Sequence, residues 1–327
     1  MNRNFKLKTK WFWSVLLVAS SISGLTIVMS YLSLFQLWEW LTYDSWFRFR
    51  PPETKETRIV VVTISESDIN ELGQWPMSDR TLSKLITKIS QQNPRVIGLD
   101  IYRDLPVPPG TAELETVFLS KPNLIGVEKL VSEKVKPSPI LKQQKQVALA
   151  DLVRDEDGKI RRGLLAVELD NGQVQLGLAA RSALMYLAAE GIEPQTVDNE
   201  GQISLGKAKI VPFKRNDGAY VGADNGGFQI LMNYRGTETS FDRISIIDVL
   251  NDRVADNLMS DRIVLIGAIA PSLNDFFITP YSGSQENTFK DLPGVFIHAN
   301  LASQLLSEAL DGRSPIKTVS DPWEWIW

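Results

Sequence analysis

Hydrophobic positions are arranged along this chain in two ways that call for different surroundings. From Trp11 to Trp38 the run WFWSVLLVASSISGLTIVMSYLSLFQLW carries no charged side chain. Helical residues rise ~1.5 Å each and about 20 of them span a hydrocarbon core, so the run predicts one uninterrupted membrane-crossing helix with room for tilt. Backbone groups in lipid must be satisfied within the segment, and Ser14, Ser20, Ser21, Ser23 and Gly24 are small residues that such a helix accepts. Trp11, Trp13, Tyr31, Trp38 and Trp40 lie toward its two ends, where aromatic side chains favour the interface. In the collar that follows, EWLTYDSWFRFRPP, Tyr43, Trp46, Phe47 and Phe49 alternate with Asp44, Arg48 and Arg50 until Pro51-Pro52 stops the helix. The collar predicts a rigid continuation of the helix out of the membrane. Its minimum role is interfacial anchoring; its sharper role is coupling, with Tyr43, Asp44 and Arg48 passing domain movement to the anchor.

Beyond the collar the apolar positions fall into short runs. RIVVVTIS (Arg58 to Ser65), rich in β-branched residues, predicts a strand buried on both faces. Asp79 to Gln92 carries Leu82, Leu85, Ile86 and Ile89 at helical spacing, with Ser78 or Asp79 as the cap. RVIGLDI (Arg95 to Ile101) predicts the next strand and completes a β-α-β unit with parallel strands. A helix over Thr111 to Leu119 and a strand over Asn123 to Leu130 follow. EKVKPSPILKQQKQV (133–147) lacks periodicity and predicts an exposed excursion. LLAVEL predicts a strand, Leu176 to Ala189 an apolar helix, and Gln202 to Asn233 short strands with Gly-rich turns. The final third returns to a short helix at Ile244 to Leu250 with Ser245 near its cap, a buried strand at Arg262 to Ala268, and an amphipathic helix at Val295 to Leu310. The predicted class is α/β, a largely parallel twisted sheet flanked by helices, with one N-terminal transmembrane helix. The predicted organisation is a basic leader at 1–10, the membrane helix at 11–38, one domain at 39–312, about 260 residues of it from Pro52 to Gly312, and, at 313–327, the truncated start of a following membrane segment. In that last segment SDPWEWIW has the aromatic content of a first interfacial turn.

Charge sets the direction of the anchor. The leader MNRNFKLKTK holds Arg3, Lys6, Lys8 and Lys10 and no acid, so the positive-inside rule keeps it cytoplasmic and sends the domain to the extracytoplasmic, periplasmic side of the plasma membrane. A cleaved signal peptide would have a shorter apolar core and an A-x-A-like site, which this segment lacks. The whole chain is nearly balanced, 35 basic against 39 acidic residues, which gives no global attraction for nucleic acid. There are no cysteines, which excludes disulfides, thiolate metal sites and cysteine nucleophiles; the single histidine, His298, excludes a multi-histidine metal centre. No cofactor or metal is predicted. G-x-S-x-G, Walker-lysine and H-E-x-x-H motifs are absent, so no enzyme activity is predicted either.

Several segments occur in a telling order: YDSWFRFR, IVVVTISESDINELGQWPMSDR, VIGLDI, DEDGKIRR, MNYRG, ISIIDVL, IVLIGAIAPSLNDFFITP and LPGVFIHANLASQLL. Together they closely resemble the CHASE2 domain from about Tyr43 to Leu306. The resemblance implies an extracytoplasmic sensory domain of a bacterial, often cyanobacterial, signal-transduction receptor, usually followed by membrane helices and a cytoplasmic output domain. It supplies no ligand, so the candidate residues rest on chemistry.

Four carboxylates lie at the carboxyl ends of predicted parallel strands: Glu66 and Asp68 after the first, Asp100 in the second, and Asp275 after RIVLIGA. That edge of an open α/β sheet is where ligands bind, which suggests a polar pocket for a cation or for an amine- or hydroxyl-bearing solute. The competing structural role is helix capping and pairing with Arg80 or Arg103. Trp75, beside Pro76 and near Arg80, offers a stacking platform or lid, although such a pair more often packs a loop onto its domain. DEDGKIRR lacks the glutamate an EF-hand needs and predicts a tight turn with Gly158 at positive φ, while Arg161 and Arg162 remain available to grip an anion. Arg235 is a candidate partner for Asp275 or a ligand carboxylate. His298, at the opening of HANLASQLL, is a ligand candidate or, with no companion, a structural histidine. The resulting prediction is a sensor module that responds to a small-molecule or ionic signal and passes the change to membrane helices. Rearrangement of two protomers is a common signalling device and admits a homodimer. The alternatives are a membrane-tethered envelope partner-binding or assembly protein and, third, a periplasmic hydrolase.

Overall fold

The computed structural model describes residues 3–131, 133–198, 201–283 and 291–318, with side chains from residue 11 onward. They divide into two compact units. The first gathers the described residues up to 46 with Lys214–Asn225 and 317–318; the second comprises Phe47–Phe213 and Gly226–Ile316. The Trp-rich tail at 320–327 lies outside the described residues.

In the first unit, helix α1 (Arg3–Tyr31) contains a 21-residue stretch, Trp11–Tyr31, long and apolar enough to cross a membrane and with none of it buried in protein. The apolar run does not continue as one helix to Trp38, nor rigidly through the collar. The chain leaves the helix at Leu32–Phe35, where Ser33 adopts a left-handed φ of 58° and its hydroxyl bonds the Leu32 carbonyl at 2.7 Å. Serine competes with the helix ladder in this way, and that ends α1 despite unbroken hydrophobicity. Helix α2 (Gln36–Phe49) then starts afresh. Its Gln36 Oε1 accepts from the Val221 N–H at 3.0 Å, and the Trp40 ring lies 5.4 Å from that of Tyr220.

The second unit runs β1 (Glu56–Ile64), α3 (Glu66–Leu72), α4 (Asp79–Gln91), β2 (Val96–Asp100), α5 (Thr111–Ser120), β3 (Leu124–Glu128), α6 (Pro139–Gln143) and β4 (Val147–Leu149). It continues through β5 (Arg162–Glu168), β6 (Val174–Leu176), α7 (Leu178–Ala188), β7 (Gln195–Thr196), β8 (Ile203–Leu205), β9 (Ala208–Ile210) and β10 (Phe228–Leu231). It closes with β11 (Phe241–Ser245), α8 (Ile246–Leu250), β12 (Ile263–Ala268), β13 (Phe276–Phe277), β14 (Leu292–Pro293) and α9 (Gly294–Leu306). The main sheet has the order β11-β1-β12-β2-β3-β4, every pairing parallel. Val60, Val62 and Ile64 of β1, Ile97 and Leu99 of β2, and Val264 and Ile266 of β12 enter one core with α4, α5 and α8. Helices α7 and α9 cover the opposite face. Burial on both sides is why these strands read as continuous apolar runs rather than alternating ones.

The caps behave as predicted: Ser78 accepts from the Thr81 N–H, and Ser245 from the Ile247 N–H. Two further sequence expectations are corrected. The stretch 133–147 is not an exposed excursion, because Leu141 and Val147 are buried and β4 forms an edge of the main sheet. The two strands of the first β-α-β unit are parallel as expected, and β12 inserts between them. Finally α9 is not amphipathic toward solvent: every residue of Gly294–Leu306 is buried, and the helix widens into a π-helical turn at Ser307–Asp311.

Candidate functional site

The register of the central strands places Gly267 of β12 beside Asp100, the last residue of β2. After β12 the chain turns through Pro271–Leu273, with Asn274 at a left-handed φ of 52°, and so delivers Asp275 to the same carboxyl edge. The Asp275 carbonyl accepts from the Gly294 N–H at 3.1 Å, fixing this loop to the start of α9. Glycine is required there, since a Cβ on Gly294 would lie 2.7 Å from Asp275 Oδ2. His298 follows one turn later in α9, almost wholly buried, its ring bonded to the Ala150 carbonyl. Beside it Asp151 accepts from the Leu130 and Val131 N–H groups at 2.9 and 2.8 Å.

These groups act on one another electrostatically. Burial pushes Asp100 up to about 7, and burial together with the Asp100 charge pushes Asp275 up to about 6; His298, the Gly294 N–H and Lys129 oppose that rise. The two carboxyls therefore titrate as a pair. Burial drives His298 down to about 4 against the pull of Asp275, the Ala150 carbonyl and Asp151, so the imidazole is neutral at physiological pH. Tyr102, at the rim and 38% exposed, is held above its ordinary range by burial and by Asp100, Asp151 and Asp275. Among the described residues the Asp100 side chain makes no hydrogen bond or ion pair, and the residue is partly open to solvent. The pair can hold a proton, accept from a hydroxyl or neutralise an ammonium. No group of three or more acidic or histidine side chains among the described residues is spaced to hold a metal.

Of the eight predicted ligand residues, the structure brings together Asp100, Asp275 and His298. Glu66 and Asp68 lie at the end of β1, where they serve other groups. Asp68 forms a capping box with Ser65 and bonds Ser245 of β11; exposed Glu66 receives the Ser272 N–H at 3.4 Å. Trp75 packs against the core beside α4, and Arg80 is exposed, paired with Glu113 at 3.2 Å. Arg235 is not the partner of Asp275. It sits 3.3 Å from Glu56 and donates to Ser303 and Ser307 of the α9 region at 2.8 and 2.6 Å. The tight turn at Gly158, with φ of 82°, is as predicted, but Arg161 and Arg162 are not available to an anion. Both are buried on Asp155, and Arg161 also pairs with Asp157 at 2.7 Å.

Arg235 belongs to a second polar centre that sequence reasoning missed. The stripe Asn300, Ser303, Gln304, Ser307 and Glu308 faces inward onto the Asn233-Tyr234-Arg235 loop and onto the segment entering β1. Asn300 Oδ1 accepts from the Arg235 N–H and Gln304 Oε1 from the Asn233 N–H, at 2.9 and 2.8 Å. Ser303 donates to Glu56, whose carboxylate is gripped twice by Arg58 at 2.7 and 2.9 Å. Burial alone would raise Glu56, but Arg58 and Ser303 outweigh it and hold the carboxyl below its usual range. Arg313 binds both oxygens of Glu53 at 2.9 and 2.6 Å and the Asn233 carbonyl at 2.9 Å; Arg50 reaches Asn233 and Tyr234. The segments entering and leaving this unit are thus clamped on one loop. The signal for it was the i, i+3, i+4, i+7 spacing of polar residues in α9, which in isolation is indistinguishable from a solvent face.

Of the collar residues, Arg48 donates to the Pro280 carbonyl at 3.0 Å in the second unit, while in the first Tyr43 is half-buried and Asp44 fully buried. A family model described as the CHASE2 domain matches residues 16–327. Neither curated proteins nor solved structures yield a match.

Proposed function

Because the chain belongs to the CHASE2 domain family, an extracytoplasmic sensory family, we propose that it is the sensor module of a membrane-bound receptor and reads its stimulus at Asp100 and Asp275. The observation that carries this reading is the pair itself: two carboxyls converge from neighbouring strands at the carboxyl edge of a parallel sheet, and burial and mutual repulsion leave them sensitive to whatever neutralises them. A small cationic or hydroxyl-bearing solute fits that chemistry. An ammonium compensates the charge that the protein leaves uncompensated, and a hydroxyl donates to the free carboxylate oxygens.

Helix α9 supplies the route outward. His298 stands at the pair, and Ser303 and Ser307 stand on the Arg235–Glu56 centre. At ~1.5 Å per residue Ser307 lies about 13 Å along the helix axis from His298. A change in the charge state of the pair displaces α9, and the displacement reaches the clamp that joins Glu53 to Arg313. Sensing by this route is a population shift between two packings of one buried helix.

Thermal-shift measurements on the full chain with a series of amines and polyols, at pH 5 and pH 8, test the site. An amine should stabilise more strongly at pH 8, where both carboxyls are ionised, and a polyol should show much weaker pH dependence. Asp100→Asn and Asp275→Asn should each abolish the amine response while the variants still unfold cooperatively. Absence of any response across the series, or a response that survives both substitutions, overturns this assignment.

A further inference from the structure

Helix α2 carries apolar side chains on two opposite faces. Gln36, Trp40, Tyr43 and Asp44 recur at helical spacing and form the side turned into protein, with Trp40 at 5% exposure and Asp44 at zero. On the far side Leu37, Trp38, Leu41 and Trp46 are 56%, 69%, 43% and 72% exposed. Two tryptophans and two leucines on the exposed half of a 10-residue stretch are not a solvent surface, and such a patch marks something that covers it.

Its position along the chain says what. Only the Leu32–Phe35 turn separates α2 from the membrane-crossing stretch of α1, and at no more than ~3.6 Å per residue that turn keeps the start of α2 within about 18 Å of the end of α1. A helix standing along the membrane normal would lift Trp46 about 13 Å above Leu37. Each interfacial layer of a bilayer is only about 5–7 Å deep, so an upright helix would leave the tryptophan stripe in water. A helix lying in the plane turns this exposed half toward lipid, with Trp38 and Leu41 deepest and Leu37 and Trp46, half a turn apart, level with each other on its two flanks. Tryptophan also has the amphipathic ring that prefers this layer.

We infer that α2 lies in the plane of the headgroup–acyl boundary, with Leu37, Trp38, Leu41 and Trp46 inserted among lipids and Gln36, Trp40, Tyr43 and Asp44 turned toward protein. The face from Leu37 to Trp46 holds Glu39 at its margin and no lysine or arginine, so insertion is driven by apolar burial rather than by anionic headgroups. The collar is then a float on the membrane surface rather than a stalk rising from it. The inference rests on the membrane-anchored reading of α1.

Cysteine is absent from the sequence, which makes single-site spin labelling clean. Leu37→Cys, Leu41→Cys and Trp46→Cys replace exposed side chains, and Val18→Cys in the middle of α1 reports on the anchor. In the full chain reconstituted in phosphatidylcholine vesicles, labels at 37 and 46 should share one shallow depth with 41 somewhat deeper, all with oxygen accessibility several-fold above that of a water-exposed site. Adding anionic lipid or salt should leave that depth unchanged. A depth that falls steadily toward water from 37 to 46, or labels shielded from oxygen and from water-soluble reagents alike, overturns the inference in favour of an upright helix or of contact between protomers. If Val18 itself is not in lipid, the anchored reading fails and the in-plane placement fails with it; if Val18 is in lipid and 41 is in water, only the in-plane placement fails.

Discussion

Two polar centres sit at opposite ends of α9, the clamp buried at Glu56 and Arg235 and the strand edge partly open to solvent, and they are opposite in character. At the clamp, Glu56, Arg58, Arg235, Ser303 and Ser307 satisfy one another, and Glu56 is held ionised. At the strand edge, Asp100 and Asp275 face each other with a neutral histidine, and both carboxyls are driven upward. The low dielectric amplifies whichever balance is present. Where charges are matched it locks geometry, and where they are unmatched it makes the site responsive. On the proposed reading the strand edge receives the stimulus and the clamp holds the two chain segments together.

The comparison breaks first at the clamp. Arg235→Ala strips Glu56 and two serines of a buried cation and should cost about 3–5 kcal/mol, the usual range for orphaning a buried charge. Thermal or denaturant unfolding of the full chain measures it; a loss below 1 kcal/mol would show that the clamp is not a locked centre.

The strand edge should respond in the opposite sense. A carboxyl raised in the folded state stabilises fully below its unfolded value near 4, and that stability is lost as pH rises through about 6 for Asp275 and about 7 for Asp100. Asp100→Asn removes the repulsion, so the variant should melt several degrees above the parent at pH 8 and close to it at pH 4, with ~2–4 °C for each kcal/mol. Melting curves across that range decide the matter, and an Asn variant that is less stable at pH 8 would mean that the ionised Asp100 is needed by the fold.

His298 contributes with the reverse sign. Its folded value near 4 lies below the ordinary 6.5, so its stability is present above 6.5 and is lost as pH falls through about 4. His298→Gln should flatten the acid limb of the same profile by a smaller amount, and an unchanged acid limb would remove the histidine from the titrating group. The smallest effect belongs to the surface. Arg80→Ala breaks an exposed pair with Glu113 and should stay within about 0.5 kcal/mol and leave the amine response intact.

Much of this was legible along the chain. The parallel sheet follows from β-branched runs too apolar for a half-exposed strand, and the caps at Ser78 and Ser245 follow from hydroxyls just ahead of helical periodicity. Asp100 was legible too, because a carboxylate that ends a buried strand must sit at the sheet edge. Arg235 was misassigned since many arginines and many carboxylates satisfy the same pairing rule. Trp11 to Trp38 looked unbroken because hydropathy does not register a serine that turns the backbone.

The sequence by itself determined the α/β class, the apolar segment able to cross a membrane, the helix caps, the Gly158 turn and the family, since each depends on local periodicity or on residues a few positions apart. Tertiary structure alone decided that β12 separates β1 from β2, that α9 is buried all round, that Glu53 meets Arg313 across the whole unit and that Asp100 faces Asp275. Each of these is a pairing of distant segments, and the energy that selects it comes from the joint burial of groups whose separate patterns fit several partners equally well.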